Sequence, residues 1–338
     1  MAAVTGAPSG DNEDRKNTGG LNKSMKYNAY DLRKSGYRYL RGSSPYVEEA
    51  ERCFPGGILM PSGMAAISLL LQYLQPKSIW YPYDLYQGTY ELISLLNIKF
   101  SDKNPDIVIY DNPSFGGNKE AKMPKFKNKP IVIVDNSVMP DKKSFKSEEY
   151  DYLVTSLSKY HTNCETVLGL ITLNDKRINK ADKIREQLKE LRWKSGYVIF
   201  DAQCRSLQEH FGKTKRKDFE KFLKAKALKA QKISRMLTER GFDAVAAGTL
   251  IFVVMPDKKT DAQKIAETMP FELRPTYGAD RTFVSYSYCE DNLRYFSAKH
   301  ASGQFIRISP GIDYTAKEIV RYIQEAMRKA KQKTESEE

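Results

Sequence analysis

The chain has 338 residues, 41% of them hydrophobic, and a formal net charge of +13. This length allows one large and one smaller domain, and the apolar content excludes a disordered chain. No apolar stretch approaches the length that spans a bilayer, residues 1–20 lack a hydrophobic signal core, and the 4 cysteines lack metal-ligand spacing, so we expect a cytoplasmic protein without a membrane partner or a metal site.

The first predicted element is an N-terminal arm over residues 1–52, rich in Gly, Ser, Asn and charge. After it, Ile67, Leu70, Leu71 and Leu74 are spaced at i, i+3, i+4 and i+7, which predicts a helix with one buried face. This helix begins at the small residues "SGM" (62–64) after a proline, so its first backbone N–H groups are expected to point outward.

Four short apolar runs follow the helix, and we predict each of them as a strand. They are rich in Ile and Val and do not alternate with polar residues, which indicates burial on both faces and hence a parallel sheet. Polar residues follow three of them, and the carboxyl ends of such strands form the ligand-binding edge of open α/β sheets. The runs are "SIWYPY" (78–83), "DIVIY" (106–110), "PIVIVD" (130–135) and "DYLVTS" (151–156), and the polar ends are Asp111-Asn112, Asp135-Asn136 and Ser158-Lys159.

The second half is predicted to open with a strand in "VLGLITL" (167–173) and a charged helix over about 175–193. A smaller α+β domain is then expected from residue 206, beside a large domain over 53–205. Its predicted elements are a basic helix, strands at 248–255, 281–288 and 303–311, and a closing helix from Thr315.

Much of the positive charge lies in "KTKRKDFEKFLKAKALKAQK" (213–232). A nucleic-acid site would need exposed aromatic residues among the lysines, or a known docking motif. Phe219, Phe222, Leu223, Leu228 and Ile233 instead fall near helical spacing, so the lysines are predicted to be the solvated side of an amphipathic helix. We therefore expect no nucleic-acid partner, although a basic surface can steer anionic ligands.

Six segments, in this order, resemble the Cys/Met-metabolism family of pyridoxal-phosphate enzymes, which includes cystathionine γ-synthase, cystathionine γ-lyase, cystathionine β-lyase and methionine γ-lyase. They are "YLRGSSP" (39–45), "SGMAAI" (62–67), "DLYQGTYEL" (84–92), "VIVDNSVMP" (132–140), "SLSKYH" (156–161) and "RISPGID" (307–313). The resemblance implies an α/β transferase of fold type I, in the aminotransferase superfamily, with a mostly parallel central sheet flanked by helices. It also implies a smaller C-terminal α+β domain and an extended N-terminal arm that contacts a partner subunit.

The resemblance implies that pyridoxal 5'-phosphate is the cofactor. Lys159 would form the Schiff base with it and then act as the mobile base, since burial and nearby positive charge depress a lysine pKa. Asp135 would pair with the pyridine nitrogen. Phosphate would be bound at the helix start by Ser62, Gly63 and Met64 and by the hydroxyls of Ser156 and Ser158. By position alone, Lys159 could be a solvated lysine and Asp135 a turn residue.

Tyr39 and Arg41 resemble the family's Tyr-x-Arg pair, which reaches the phosphate of the neighbouring subunit. This match implies a homodimer with shared active sites, and whether two dimers form a tetramer is left open. Tyr86 resembles the aromatic residue that stacks on the cofactor ring, and Tyr86 and Tyr39 would assist proton transfer. Arg307 resembles the arginine that grips the substrate carboxylate, with Ser285 (or Ser287) and Asn112 as further substrate contacts.

The chain departs from the family pattern after the lysine, where "NCET" (163–166) replaces a Gly-His-Ser-Asp stretch, and in the crossover 113–130, which has helix breakers. These departures favour a specialised amino-acid substrate. We predict γ-elimination or γ-replacement, because that branch of the family is the larger one. A β-lyase is the alternative, a catalytically silent relative is disfavoured by retention of Lys159, Asp135, Arg41 and Arg307, and a transaminase is disfavoured by the Tyr-x-Arg and "LYQGT" segments.

Overall fold

The computed structural model describes residues 44–82, 85–113, 124–140, 149–211, 216–256, 260–274, 276–286 and 304–337. Tyr39 and Arg41 lie outside these residues, as does most of the predicted arm. All the described residues belong to one compact unit. None of the helices in these ranges has the length and apolarity needed to cross a membrane.

A seven-stranded sheet in the order β1-β7-β6-β5-β4-β2-β3 forms the first half of the described chain. Strands β2 to β6 pair in parallel, whereas β7 runs antiparallel to both β6 and β1. The prediction of a mostly parallel sheet is confirmed. The strands are β1 Gly57–Met60, β2 Ser78–Trp80, β3 Lys99–Phe100, β4 Ile107–Asp111, β5 Ile131–Asp135, β6 Tyr152–Ser156 and β7 Gly169–Leu173.

Five helices are described in this half of the chain: α1 Pro45–Arg52, α2 Gly63–Leu74, α3 Gln87–Leu95, α4 Ala181–Lys194 and α5 Asp201–Phe211. Helix α2 packs on the sheet through Ile67, Leu70 and Leu71, which are buried as their spacing predicts. The sheet and the helix share one apolar core. The burial of this core holds α2 on the sheet, and the cap at Ser62 sets the residue at which the helix begins.

The boundaries of three elements differ from those predicted. The last residues of the predicted arm form helix α1, because Ser44 caps its first turn and Val47 and Ala50 are buried against α5 and β1. Strand β2 ends at Trp80, before a proline. The charged helix α4 begins at Ala181, because the carbonyl of Asn174 accepts hydrogen bonds from Arg177 and Ile178 in a preceding turn.

A second sheet, with strand order β10-β11-β12-β9-β8, and three helices form the other half of the described chain. The helices pack on this sheet around a second apolar core. Helix α5 crosses the predicted boundary at residues 205/206, and that boundary stays a prediction. The elements are α6 Arg216–Thr238, β8 Ala244–Ala247, β9 Leu250–Val254, α7 Ala262–Glu267, β10 Glu272–Leu273, β11 Phe283–Tyr286, β12 Phe305–Ser309 and α8 Ala316–Glu337.

The basic segment is the amphipathic helix α6. Leu223 and Ile233 are buried and Lys221 and Lys224 are exposed, as the spacing predicts, whereas Leu228 is exposed and does not belong to the buried face. Lys226 differs, because it is buried and its ammonium donates a hydrogen bond to the carbonyl oxygen of Ala279 at 2.5 Å. Burial lowers the pKa of Lys226 to about 8. This lysine therefore ties α6 to the loop before β11.

Candidate active site

The polar ends of β4, β5 and β6 lie at one edge of the first sheet. Strands β4 and β5 pair in register with Asp111 opposite Asp135, and Asp135 pairs with Val154 on β6. Lys159 follows β6 by three residues, close enough to Asp135 for its charge to lower the pKa of that carboxyl group. The predicted convergence of these strand ends is therefore present in the structure.

Asp135 is fixed by the residue two positions further along the chain. Its Oδ1 accepts hydrogen bonds from the backbone N–H of Ser137 at 2.9 Å and from the Ser137 hydroxyl at 2.5 Å. The same hydroxyl oxygen accepts a hydrogen bond from the backbone N–H of Ser156 at 2.7 Å, which ties β5 to the end of β6. Burial raises the pKa of Asp135, while the Ser137 hydrogen bonds and the charge of Lys159 oppose that rise.

We expect Asp135→Asn to stabilise the protein without cofactor at neutral and higher pH. A raised carboxyl pKa means that the folded state favours the neutral acid, so wild-type stability falls as pH rises through that pKa. Asparagine can accept the same hydrogen bonds from Ser137 without the cost of a buried charge, and the gain in unfolding free energy should be about 1 kcal/mol or more. Urea unfolding between about pH 4 and about pH 8 measures it, with the variants converging at the acid end.

The start of helix α2 lies against the end of β6. A Cβ atom on Gly63 would stand 3.3 Å from the Cβ of Ser156, and one on Gly169 would stand 2.7 Å from the Gly63 nitrogen. These two glycines let the backbones approach closely. Ser62 caps the helix by accepting a hydrogen bond from the Ala65 N–H at 2.9 Å. The N–H groups of Gly63 and Met64 belong to the first turn of this helix, where the backbone offers them no intrahelical acceptor.

The two serines after β6 differ in their environment. The Ser158 hydroxyl is buried and exchanges hydrogen bonds with the backbone of Leu168, donating to its carbonyl oxygen and accepting from its N–H, each at 3.1 Å. Ser156 is only partly buried, and its hydroxyl donates to that of Ser158 at 3.3 Å. Ser156 is therefore better placed than Ser158 to donate a hydrogen bond to a ligand.

Lys159 is partly buried beside the second sheet. Its Nζ lies 3.4 Å from Thr276 Oγ1 and 4.8 Å from the centroid of the Tyr277 ring. Burial lowers the pKa of Lys159, and the positive charge of Arg307 lowers it further, while Asp135 opposes the shift. The result is an amine that loses its proton more readily than an exposed lysine does.

Arg307 extends from β12 toward the same edge. Ser285 lies directly opposite it, because the two residues pair across β11 and β12.

The Tyr86 hydroxyl is close enough for its charge state to affect the pKa of Arg307, and the Tyr86 side chain keeps 40% of its surface exposed. Tyr86 is the N-cap residue immediately before α3. Its backbone N–H donates a hydrogen bond to Asp111 Oδ2 at 2.6 Å. Asn112 follows Asp111, and its N–H donates to the Asp135 carbonyl oxygen at 2.8 Å.

The residues of segment 161–166 lie in different environments, and they do not all line the site. His161 is buried in contact with the rings of Phe54, Phe211 and Phe219, with centroid distances of 5.6, 4.8 and 4.5 Å. Burial lowers the pKa of His161 to about 3, so the imidazole is neutral and serves packing. Of the divergent residues, Cys164 is the one beside Lys159, with its Sγ 3.5 Å from the Lys159 carbonyl oxygen.

Sequence reasoning did not identify Thr276, Tyr277 and Gly278, although they adjoin Lys159. A Cβ on Gly278 would stand 2.7 Å from the Lys159 carbonyl carbon, and this glycine has a φ of +102°. The only sequence signal was the glycine itself in "TYGAD", which indicates a turn but no partner. The partner is 119 positions away along the chain, since 278 − 159 = 119.

The arrangement fits pyridoxal phosphate in its types of chemical group. The Lys159 amine, with its lowered pKa, lies within electrostatic range of both Arg307 and the carboxyl group of Asp135, which two hydrogen bonds fix. The close approach of Gly63 to Ser156 leaves a helix start with small side chains at the same edge, where the helix dipole favours an anion. A carboxylate, an amine and an anion-binding helix start are the groups that hold this cofactor.

No known family model matches this sequence, and no curated protein matches it at a significant level. Solved structures do match its fold. Cystathionine gamma-lyase from yeast has 19% sequence identity, covers 87% of this chain and 88% of its own, and gives a TM-score of 0.68. Cystathionine gamma synthase from Xanthomonas oryzae pv. oryzae has 16% identity, the same coverages and a TM-score of 0.68.

A third similar structure is a cystathionine gamma-lyase from Micromonospora echinospora, with 15% identity and a TM-score of 0.67 over 86% of this chain and 89% of that one. At sequence identities this low, the structural similarity establishes the fold alone. The chain therefore has the α/β fold of these enzymes, with a mixed sheet flanked by helices, and the predicted fold class is confirmed.

Proposed function

We propose that this chain, which folds like the cystathionine gamma-lyases and gamma-synthases, is a pyridoxal-phosphate enzyme that eliminates or replaces a γ-substituent of an amino acid. The observation that carries the proposal is Lys159, an amine with a lowered pKa within electrostatic range of both Asp135 and Arg307. A surface lysine after a strand would have neither the burial nor these two neighbours.

Six described residues would hold the cofactor. Lys159 would bind its aldehyde, Asp135 its pyridine nitrogen and Tyr86 its ring face. The phosphate would accept hydrogen bonds from the N–H groups of Gly63 and Met64 and from the Ser156 hydroxyl. Ser62 supports this set through the helix cap, and Ser158 would support it through Leu168 rather than by direct contact.

Bound pyridoxal phosphate supplies an electron sink for carbanions at the substrate. The neutral Lys159 amine would accept the proton from the substrate Cα and move protons at Cβ. Arg307 would bind the α-carboxylate through two parallel hydrogen bonds, with Ser285 directly across the strand pair and Asn112 at the neighbouring strand end. Tyr86 would assist proton transfer at the substrate amine.

The alternative is a β-lyase, which needs only Cα deprotonation and loss of a β-substituent. We favour γ-chemistry because the similar structures described above are named as gamma-lyases and gamma-synthases. A panel of cystathionine, methionine, homocysteine, activated homoserine esters and β-halogenated amino acids, with detection of 2-oxo acid, ammonia and adducts, separates the two. Products from γ-substituted substrates support the proposal, and products from β-substituted substrates alone support the alternative.

We propose a homodimer in which Tyr39 and Arg41 of one subunit serve the site of the other. Mixing Arg41→Ala with Lys159→Ala subunits should then restore activity, because some hybrid dimers contain one intact site. Up to about a quarter of wild-type activity is expected for random exchange, since one site in two is intact in half of the dimers. Mixtures that stay inactive after exchange, verified by differently tagged subunits, contradict shared sites.

A cytoplasmic setting remains a proposal, supported by the free thiols of Cys53, Cys164 and Cys204 in the described part of the chain. On α6, Phe219 is buried and Phe222 is partly buried, so neither aromatic ring is fully exposed among the lysines, which supports the expectation that nucleic acid is not a partner. The presence of Arg307, a carboxylate-binding group, near the Lys159 amine supports a small amino acid as the substrate.

A further inference from the structure

The aromatic ring of Tyr277 lies close to both cationic side chains of the candidate site, Lys159 and Arg307. Its ring centroid lies 4.8 Å from Lys159 Nζ and 5.7 Å from the Cζ of Arg307. The side chain is 6% exposed, so both contacts lie in a region that is shielded from water. Both distances are within the range in which a cation is attracted to the face of an aromatic ring.

The backbone around Tyr277 is held against Lys159 from several sides. Gly278 lies so close to the Lys159 carbonyl group that a side chain at this position would not fit. Its N–H donates a hydrogen bond to Ser309 Oγ at 3.2 Å. The Tyr277 carbonyl oxygen accepts a hydrogen bond from Cys164 Sγ at 3.1 Å. The ring is therefore not a mobile lid but a fixed part of the site wall.

Two like charges in a buried site repel each other, and here each also loses water. The negative face of an aromatic ring offsets part of that repulsion and is a preferred contact for a planar guanidinium group. The ring also restricts the positions of the two cations. A group that only weakened their mutual repulsion would leave those positions free.

We propose that Tyr277 is a positioning residue whose ring face fixes the places of the Lys159 amine and the Arg307 guanidinium relative to each other. The proposal rests on the proposed function, because those two groups would meet the Cα proton and the carboxylate of one amino acid. The ring, rather than the hydroxyl, carries this role.

The first test measures the titration of Lys159 in the protein without cofactor. Competitive labelling with fluorodinitrobenzene across pH, read out by mass spectrometry of the peptide that contains Lys159, gives its pKa. The groups that face this amine are Asp135, Arg307, Cys164 and Thr276, and none of them is replaced in the variants. Tyr277→Phe should leave the pKa of Lys159 unchanged, whereas Tyr277→Leu should lower it by about 0.4 to 1.5 units, because the ring stabilises the ammonium.

Tyr152→Leu is the matched control, because it also removes a buried tyrosine ring, in this case one on strand β6 of the first sheet. A purely structural role for Tyr277 predicts that both leucine variants lose thermal stability and leave the titration of Lys159 unchanged, and that result overturns the proposal. If Tyr277→Leu does not fold, pentafluorophenylalanine at position 277 replaces it in the test. That ring keeps the shape of phenylalanine and reverses the quadrupole, so the pKa of Lys159 should again fall relative to Tyr277→Phe.

The second test uses the enzyme with cofactor and the amino acid that the panel identifies. Tyr277→Leu should raise KM by about 2- to 30-fold with a smaller change in kcat, because Arg307 loses its support, while Tyr277→Phe should keep the wild-type KM. The labelling test needs no cofactor, so it distinguishes the two proposals. Normal cofactor binding with an unshifted Lys159 overturns the role of Tyr277, whereas a shifted Lys159 in a protein that never binds cofactor overturns only the proposed function.

Discussion

Lys159→Ala will lose the visible absorption band of bound pyridoxal phosphate and about 10²- to 10⁴-fold or more of its turnover. Lys159 is the described amine that the structure places within electrostatic range of Asp135 and Arg307, and burial already lowers its pKa. Alanine removes both the group that would bind the cofactor aldehyde and the base that would accept the Cα proton. Absorbance titration with pyridoxal phosphate and steady-state turnover with the best panel substrate measure the two losses.

The matched control for this prediction is Lys226→Met. Lys226 is also a buried lysine with a lowered pKa, but its ammonium donates to the Ala279 carbonyl oxygen in the second sheet's loop. This variant should keep the absorption band, although its melting temperature will fall. A Lys159→Ala protein that binds the cofactor with an unchanged spectrum, or a Lys226→Met protein that loses the band, would contradict the assignment of Lys159.

Arg307→Ala will raise KM for the amino-acid substrate by about 30-fold to several thousand-fold, which corresponds to about 2–5 kcal/mol for loss of one partner of a buried charge pair. The absorption band of the cofactor should remain, since Arg307 is not proposed to hold it. Arg307→Lys should recover only part of the loss, because an ammonium group cannot reproduce the planar fork of a guanidinium. Steady-state kinetics with the panel substrate, together with the absorbance titration, measure both effects.

Arg274→Ala is the control for Arg307, because Arg274 directly follows β10 of the same second sheet but pairs with Glu272 and is exposed. Its replacement should leave KM unchanged. An Arg307→Ala enzyme whose KM equals the wild-type value would remove Arg307 from the substrate site. Loss of the absorption band in that variant would instead give Arg307 a role in holding the cofactor.

The first sheet could be predicted from the sequence because its signals are local. Short runs of Ile and Val that do not alternate with polar residues indicated parallel strands, and the polar residues at their ends indicated a ligand site. Asp135 and Lys159 were therefore identified correctly as neighbours, since parallel strands bring their carboxyl ends to one edge. The antiparallel strand β7 was not distinguished, because its apolar run resembles those of the parallel strands and direction depends on pairing.

The serines near Lys159 show a finer limit. Ser156 ends β6 and Ser158 follows it by two residues, and the sequence does not show that only the Ser158 hydroxyl bonds to the backbone of Leu168. His161, the last residue of the segment "SLSKYH", is buried among Phe54, Phe211 and Phe219, which come from separate parts of the chain, so no local pattern indicated its packing role. The pairing of β11 with β12 places Ser285 opposite Arg307, whereas Ser287 lies outside the described residues.

The sequence by itself determined the strand ends, the start of helix α2 and the amine at position 159, because each depends on residues within one or two turns of chain. The tertiary structure alone decided what surrounds that amine. Tyr277 and Gly278 reach Lys159 from a loop that leads into the second sheet, and Arg307 comes from β12. No local pattern encodes such a contact, since burial, pKa and cation–aromatic distance arise only when distant segments pack together. The role of the lysine in "SLSKYH" could thus be predicted from the sequence, whereas its lowered pKa is a property of the fold.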